Sequence, residues 1–338
     1  MSRKRSKITS AVLTLMLGAA AMQCAGTAEM PSAAVLPRSP VTRLITLGTA
    51  GGPRGSAERA QPSNVLIVRD TPYLIDAGNG VITQLYQAGV PFTRIRNIFI
   101  THNHDDHNAD WGTLMGRAWT SGQDEPMTVY GPRGTAQMRK GFLQYFAPNA
   151  AAHYLEGAVN VPPEKVILAR EILRPGPVFQ DANIRVTAAE NCHYHFSKGT
   201  PGYHWQQSFS FRFETPDRVI VFSGDTGPCG DVLSSFARGA DILVHEVIDL
   251  PAIQATLESR TDGTNAKPGQ TEALMNHMRA EHTTPEEVGR VAQAAGVKMV
   301  VLTHLVTGAR TDGDNAYIEA VKKSFSGPVV VARDLMEF

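Results

Sequence analysis

The sequence predicts an α+β protein built as a layered sandwich, two sheets packed together with helices outside. Three observations carry this expectation. The 338 residues are 42% apolar, enough to bury a large core in one domain or two. Short apolar segments closed by Gly, Asp or Asn recur along the chain and read as strands. They come in runs, with helical periodicities between the runs, which is the ordering of a layered α+β fold. Aromatic content of 7% and charged content of 19% fit an ordered globular chain.

Taken in order, the first elements are strands at Val41 to Leu47, Ser63 to Val68 and Tyr73 to Ile75. A helix follows in which Val81, Leu85, Tyr86 and Val90 share a side. Ile98-Phe99-Ile100 then leads into a histidine cluster, and a second helix covers Trp111 to Trp119. The periodicity predicts helices over 133–156 and 163–170. Strands return at Ile184 to Val186, Ser208 to Phe213, Val219 to Phe222 and Ile242 to Val244. Helices are expected at about 270–280, at Thr284 to Ala295 and at Asn315 to Phe325, with strands at Lys298 to Leu302 and Val329 to Val331.

The N-terminus has the layout of a signal peptide. Arg3, Lys4, Arg5 and Lys7 precede an apolar run from Ala11 to Met22, and the small residues Gly26 and Ala28 suit cleavage after Ala28. An uncleaved membrane anchor is the alternative. Export to the periplasm or the medium is therefore expected, with no stable membrane insertion after cleavage. Residues 29–40 are Pro-rich and aperiodic and read as a linker into a domain spanning 41–338. The whole chain has 32 basic and 32 acidic residues, and residues 1–28 contribute four of the basic ones, so the mature domain carries a net charge of −4. That balance gives no global nucleic-acid footprint, although a local basic groove is compatible with it. Only Cys192 and Cys229 remain after cleavage, and in an exported chain they can pair or stay as two small core residues.

The chemistry concentrates in Thr101-His102-Asn103-His104-Asp105-Asp106-His107. His102 and His104 lie two apart at a strand end, so both can leave on one face. Asp106 and His107 follow the turn. Three imidazoles and two carboxylates within six positions cannot be placed in a core without partners. They suit a zinc-like divalent ion with an open position for water. Three further candidates each stand just beyond an apolar strand: His193 (or His195), Asp225 and His304. Asp76, in a Gly-rich turn, serves either as the carboxylate partner of a ligand histidine or as a turn residue. Trp111, Trp119, Tyr203, His204 and Trp205 are aromatic candidates for a pocket, though core or rim is the commoner place for such residues.

Leu47-Gly48-Thr49-Ala50-Gly51-Gly52, Leu74-Ile75-Asp76-Ala77-Gly78, His102 to His107, Phe222-Ser223-Gly224-Asp225-Thr226 and Thr303-His304 resemble, in order, the motifs of the metallo-β-lactamase superfamily. The resemblance implies a four-layer αββα sandwich. It implies two divalent metal ions, one on His102, His104 and His193, the other on Asp106, His107 and His304, with Asp225 bridging. Glu190 to Tyr194 resembles the corresponding family segment and favours His193 over His195. Zinc is the expected metal, and manganese or iron would also suit His/Asp donors.

Two segments resemble the ribonuclease Z/arylsulfatase-like branch: Asp241 to Glu246 its His-Glu motif, and Glu281-His282-Thr283-Thr284-Pro285-Glu286-Glu287-Val288 its His-Ser/Thr motif. The resemblance implies that Glu246 orients His282, which protonates the leaving oxygen, while Asp106 helps to orient a metal-bridging hydroxide. Thr284 with Glu287 also reads as a helix capping box, which is compatible with a catalytic His282. Export, and a nearly uncharged stretch at 141–165 in place of a basic RNA-gripping arm, point away from tRNA. The expectation is thus an exported dinuclear hydrolase of small phosphate or sulfate esters, with no nucleic acid involved and a homo-oligomer left open. A lactonase or β-lactamase-like hydrolase is the second reading, and a non-catalytic metal-stabilised binding protein the third.

Overall fold

A computed structural model describes residues 41–338 apart from 53–54, 158, 204, 259–269 and 308–312. The expected signal segment (1–28) and linker (29–40) lie outside the described residues, as does His204. The first sheet collects β1 (Thr42–Gly48), β2 (Ser63–Val68), β3 (Thr71–Ile75), β4 (Asn97–Phe99), β5 (Met127–Pro132) and β6 (Ile167–Ile172). The second collects β7 (Gly176–Gln180), β8 (Arg185–Glu190), β9 (Phe209–Glu214), β10 (Val219–Phe222), β11 (Ile242–Ile248), β12 (Met299–Val306) and β13 (Val329–Val331). A last strand, β14 (Met336–Glu337), returns to the first sheet beside β1, so the strand orders are β14-β1-β2-β3-β4-β5-β6 and β13-β12-β11-β10-β9-β8-β7.

Strand periodicity of two sorts the core into layers. In β1 to β3, Ile45, Leu47, Val65, Ile67 and Leu74 face one cluster, and their alternates Leu44, Leu66, Val68, Tyr73 and Ile75 face another. The first cluster is closed by α1 (Val81–Gln87), α3 (Trp111–Thr120) and α4 (Thr135–Leu155), with the short α2 (Asp105–Asn108) lying before α3 and α5 (Pro163–Val166) after α4. The second cluster lies between the sheets, where Phe99 meets Phe211 and Phe213. The outer face of the second sheet packs on α6 (Val232–Phe236), α9 (Pro285–Ala295) and α10 (Asn315–Lys322). The helices α7 (Leu250–Glu258) and α8 (Gln270–Glu281) stand between β11 and α9 in the chain. The result is the expected αββα sandwich. Among the described residues no helix is long and apolar enough to cross a membrane.

Helix α9 shows why the sequence folds as it does locally. Thr284 caps it and Glu287 returns the reciprocal bond, Pro285 fills the first turn, and Gly296 at φ 62° ends it. Val288, Ala292 and Ala295 then bury one stripe against the second sheet. Two expectations fail: on the first helix Tyr86 is exposed and does not share the buried side of Val81 and Leu85, while Val90 lies beyond the end of α1. The stretch 163–170 is not one helix: α5 stops at Val166, and Ile167–Ile172 pairs in parallel with β5 from Met127↔Ile167 to Pro132↔Ile172. The residues themselves tolerate a helix, and only the free edge of β5 makes the strand preferable. Short elements with weak periodicity (β5, β7, β14, α6 and α7) escape sequence reading for the same reason.

Candidate active site

The strands deliver the candidate residues to one edge of the sandwich. His102 and His104 follow β4, His193 follows β8 and Asp225 follows β10. His304 differs from expectation in an instructive way. It lies inside β12, where the pairing with β11 slips from Glu246↔Thr303 to Val247↔Leu305. His304 is the unpaired residue of that bulge, at φ 45°. A bulge re-aims one side chain without ending the strand, and a non-glycine residue in the left-handed region is strain held by its surroundings. Asp76, at φ 56°, is a second such residue.

Two donor clusters share Asp225, and a third group joins Glu246, His282 and His304. His102, His104, His193 and Asp225 make one; Asp106, His107, Asp225 and His304 make the other, with the donor atoms of each within 4.8 Å of one another. Asp225 belongs to both. Its Oδ1 lies 3.2 Å from His107 Nε2, and its Oδ2 lies 3.1 Å from His304 Nε2 and 3.8 Å from His102 Nε2. Asp106 Oδ2 is 3.3 Å from His304 Nε2 and 3.5 Å from His107 Nε2. His193 Nε2 lies 3.1 Å from His104 Nδ1. Outside the cluster, exposed His195 turns its Nε2 to the Ala280 carbonyl at 2.8 Å, so of the two histidines the structure brings His193 to the other donors.

The outer nitrogens set the orientation of the rings. His193 Nδ1 donates to the Glu281 carbonyl at 3.0 Å, and His107 Nδ1 donates to Asp76 Oδ2 at 2.9 Å. Asp76 also accepts from the Thr101 backbone N–H at 2.8 Å and from its hydroxyl. The Thr101 hydroxyl lies 3.1 Å from His102 Nδ1. His193, His107 and His102 therefore keep Nε2 for the interior, the tautomer a metal ligand needs, whereas His104 turns Nδ1 toward His193. Asp76 thus takes the first of its two sequence readings. Asp76→Ala is expected to lower metal affinity about 10–100-fold, read by chelator competition. Affinity equal to that of the parent chain would return Asp76 to a turn role.

Electrostatics separate the clusters. Burial, reinforced by His107 and His193, holds His102 well below the usual imidazole range, and burial brings His193 down to about 3. Burial opposes charge on His304 and His107 too, but Asp225 and Asp106 outweigh it, raising His304 to about 10 and His107 well above its ordinary value. Burial pushes Asp106 up, yet His107 and His304 bring it down to about 2. His102 Nε2, His107 Nε2 and Asp225 Oδ1 are buried without a hydrogen-bond partner. Buried polar atoms are rarely left so, and convergent Nε2 and carboxylate donors fit divalent cations. Two glycines make room. A Cβ on Gly52 would stand 2.1 Å from Asp106 Oδ2, and one on Gly78 would stand 2.1 Å from the Asp106 carbonyl oxygen.

Beside the second cluster, Glu246 Oε2 is 3.3 Å from His282 Nδ1. Glu246 Oε1 accepts from the Thr283 N–H at 2.9 Å and the Thr226 N–H at 3.3 Å. Burial works against charge on His282, but Glu246 prevails and raises its pKa. The His282 ring stacks on His304 at 5.8 Å, so the pair expected from sequence stands next to the metal donors.

Cys192 and Cys229 are joined by a disulfide. It ties the His193 loop to the Asp225 loop, which also share bonds from Cys192 N to Thr226 Oγ1 and from Gly227 N to the Cys192 carbonyl. Cys229→Ser is expected to cost about 2–4 kcal/mol of stability in chemical denaturation. An unchanged midpoint would show that the loops hold without it.

The fold and this donor set define a metal-dependent hydrolase that acts on ester bonds. A family model for the Beta-lactamase superfamily domain matches residues 71–305, and the chain belongs to the metallo-β-lactamase superfamily. It is 28% identical over 297 residues to ribonuclease Z of Mycobacterium bovis (strain BCG / Pasteur 1173P2), covering 86% of this chain and 96% of that protein. Among solved structures, the fold is similar to a metallo-beta-lactamase fold protein, YhfI, from Bacillus subtilis (TM-score 0.60, 19% identity, 88% and 98% of the two chains). It is also similar to the short form of human tRNase Z (TM-score 0.59, 22% identity, 88% and 98%). These relatives overturn the expectation of a small-molecule ester with no nucleic acid. That expectation leaned on the export signal, on net charge and on the nearly uncharged stretch at 141–165. Net charge sums over the whole surface and says nothing about a few groups placed along one groove.

Proposed function

We propose that the protein is a ribonuclease Z-like phosphodiesterase that hydrolyses RNA. The observation that carries the reading is the Glu246–His282 pair set against the second donor cluster, in a chain whose curated relatives include ribonuclease Z. In this reading His102, His104 and His193 hold one divalent ion, Asp106, His107 and His304 hold a second, and Asp225 serves both, with zinc as the favoured metal. When bound, the ions supply Lewis-acid polarisation of the phosphoryl group and lower the pKa of water.

The chain's own residues do the rest. Asp106 orients the attacking water from beside His304. Glu246 fixes the ring of His282 through Nδ1, leaving Nε2 to deliver a proton to the departing ribose oxygen. The buried Thr283 and Thr226 N–H groups both donate to Glu246 Oε1 and keep the carboxylate in place, so that Oε2 is left for His282.

The test is cleavage of an end-labelled RNA by the zinc-loaded chain, beside an aryl sulfate. RNA cleavage that stops on chelation and returns with metal is the expected result. Aryl sulfate turnover without RNA cleavage would reject the reading. We also propose export through residues 1–28. The Cys192–Cys229 disulfide supports it, because such bonds persist in oxidising compartments. Cell fractionation with N-terminal sequencing tests it: an uncleaved chain in the cytosol excludes export.

A further inference from the structure

We propose that Tyr194, Phe196 and Trp205 form a stacking platform for nucleobases of single-stranded RNA beside the cleaved bond, an inference that rests on the RNA reading above. Their loop starts at the metal donors. The Tyr194 ring stands 5.4 Å from His104 and 6.0 Å from His102, edge to face. Phe196 stacks on Tyr194 at 5.6 Å with 30° between the planes, so the aromatic line runs outward from the site. Phe196 is nevertheless 43% exposed and Trp205 is 50% exposed.

The loop is held in shape. His195 and His193 are anchored to the end of α8 through the Ala280 and Glu281 carbonyls. Turn bonds run from Thr200 N to the Ser197 carbonyl and from Trp205 N to the Gly202 carbonyl. Gly202 closes over Phe196 so tightly that a Cβ there would lie 2.5 Å from the ring. Exposed aromatic rings on a fixed loop, continuous with a catalytic site, mark a ligand surface rather than unused core.

Charge identifies the ligand. Residues 194–205 contain Lys198 and no acidic residue. The Arg133 guanidinium lies over the Trp205 ring at 5.1 Å, with its buried Nε unpartnered, and the Arg133 carbonyl is held by Asn103 Nδ2 of the donor loop at 2.8 Å. A phosphodiester for the metal donors, planar bases for the rings and anionic linkages for Lys198 and Arg133 occur together in a single-stranded nucleic acid. A partner protein offers the rings no such matched backbone charge.

The experiment compares kcat/KM of the zinc-loaded full chain on an oligoribonucleotide and on the same strand with abasic riboses flanking the cleaved bond. The parent chain is expected to prefer the base-bearing strand by about 5- to 150-fold per stacked base. Phe196→Ala with Trp205→Ala is expected to collapse that ratio toward one, and Trp205→Ala alone, at a half-exposed position, to reduce it partway. Tyr86→Ala, an exposed aromatic change on α1, keeps the parent ratio. If the double and single variants keep the parent ratio while RNA is still cleaved, the platform is overturned and the RNA reading stands. If the parent chain cleaves no RNA, the RNA reading falls and the platform with it.

Discussion

Asp225→Ala is expected to reduce kcat/KM by at least roughly 10³-fold, the equivalent of several kcal/mol of transition-state stabilisation. The size follows from its position. Asp225 is the one residue common to both donor clusters, and its two oxygens face His107, His304 and His102 at 3.2, 3.1 and 3.8 Å. No neighbouring carboxylate reaches both clusters among the described residues. Elemental analysis after dialysis is the direct check: the parent chain should retain two equivalents of metal and the variant fewer. An Asp225→Ala protein with both metals and a tenth of the parent activity would refute the shared-ligand assignment. Asp225→Asn is the companion variant, since it keeps the shape and one acceptor while removing the charge.

His282→Ala should slow cleavage of substrates with poor leaving groups by about 10²–10⁴-fold, the usual span of general acid catalysis. Activated aryl phosphodiesters need no protonation of the departing oxygen and should be largely spared. The measurement is a plot of log kcat/KM against leaving-group pKa, expected to steepen in the variant. Equal loss at both ends of the series would show that His282 holds the site together and transfers no proton. Glu246→Gln should give the same steepening, because an amide whose oxygen stays on the Thr283 and Thr226 N–H groups turns its NH2 toward His282 Nδ1 and no longer accepts from it. Glu246 also receives the Thr283 and Thr226 amides, so Glu246→Ala would disturb structure as well as proton transfer. A thermal melt separates the two effects.

The layered fold and the run from His102 to His107 are readable from sequence because both are local. Alternating burial in β1 to β3 and the cap of α9 depend on residues a few positions apart. Six consecutive positions at a strand end determine much of their own geometry. His193 and Asp225 are readable as strand-end residues, whereas His304 reads so in sequence but sits inside β12, and the meeting of all three depends on strand order across the second sheet. The bulge that aims His304, the choice of His193 over His195, the Asp76–His107 contact and the pairing of Cys192 with Cys229 are all long-range. So is the strand at Ile167–Ile172, which a local reading makes helical. The aromatic candidates divide on the same ground: Trp111 and Trp119 are buried under α4, whereas Trp205 faces outward beside Arg133. Local pattern determined which chemistry the chain can perform. Packing between distant segments decided which donors share Asp225 and which rings remain exposed to a substrate, since those relations are set by contacts that no short window of sequence contains.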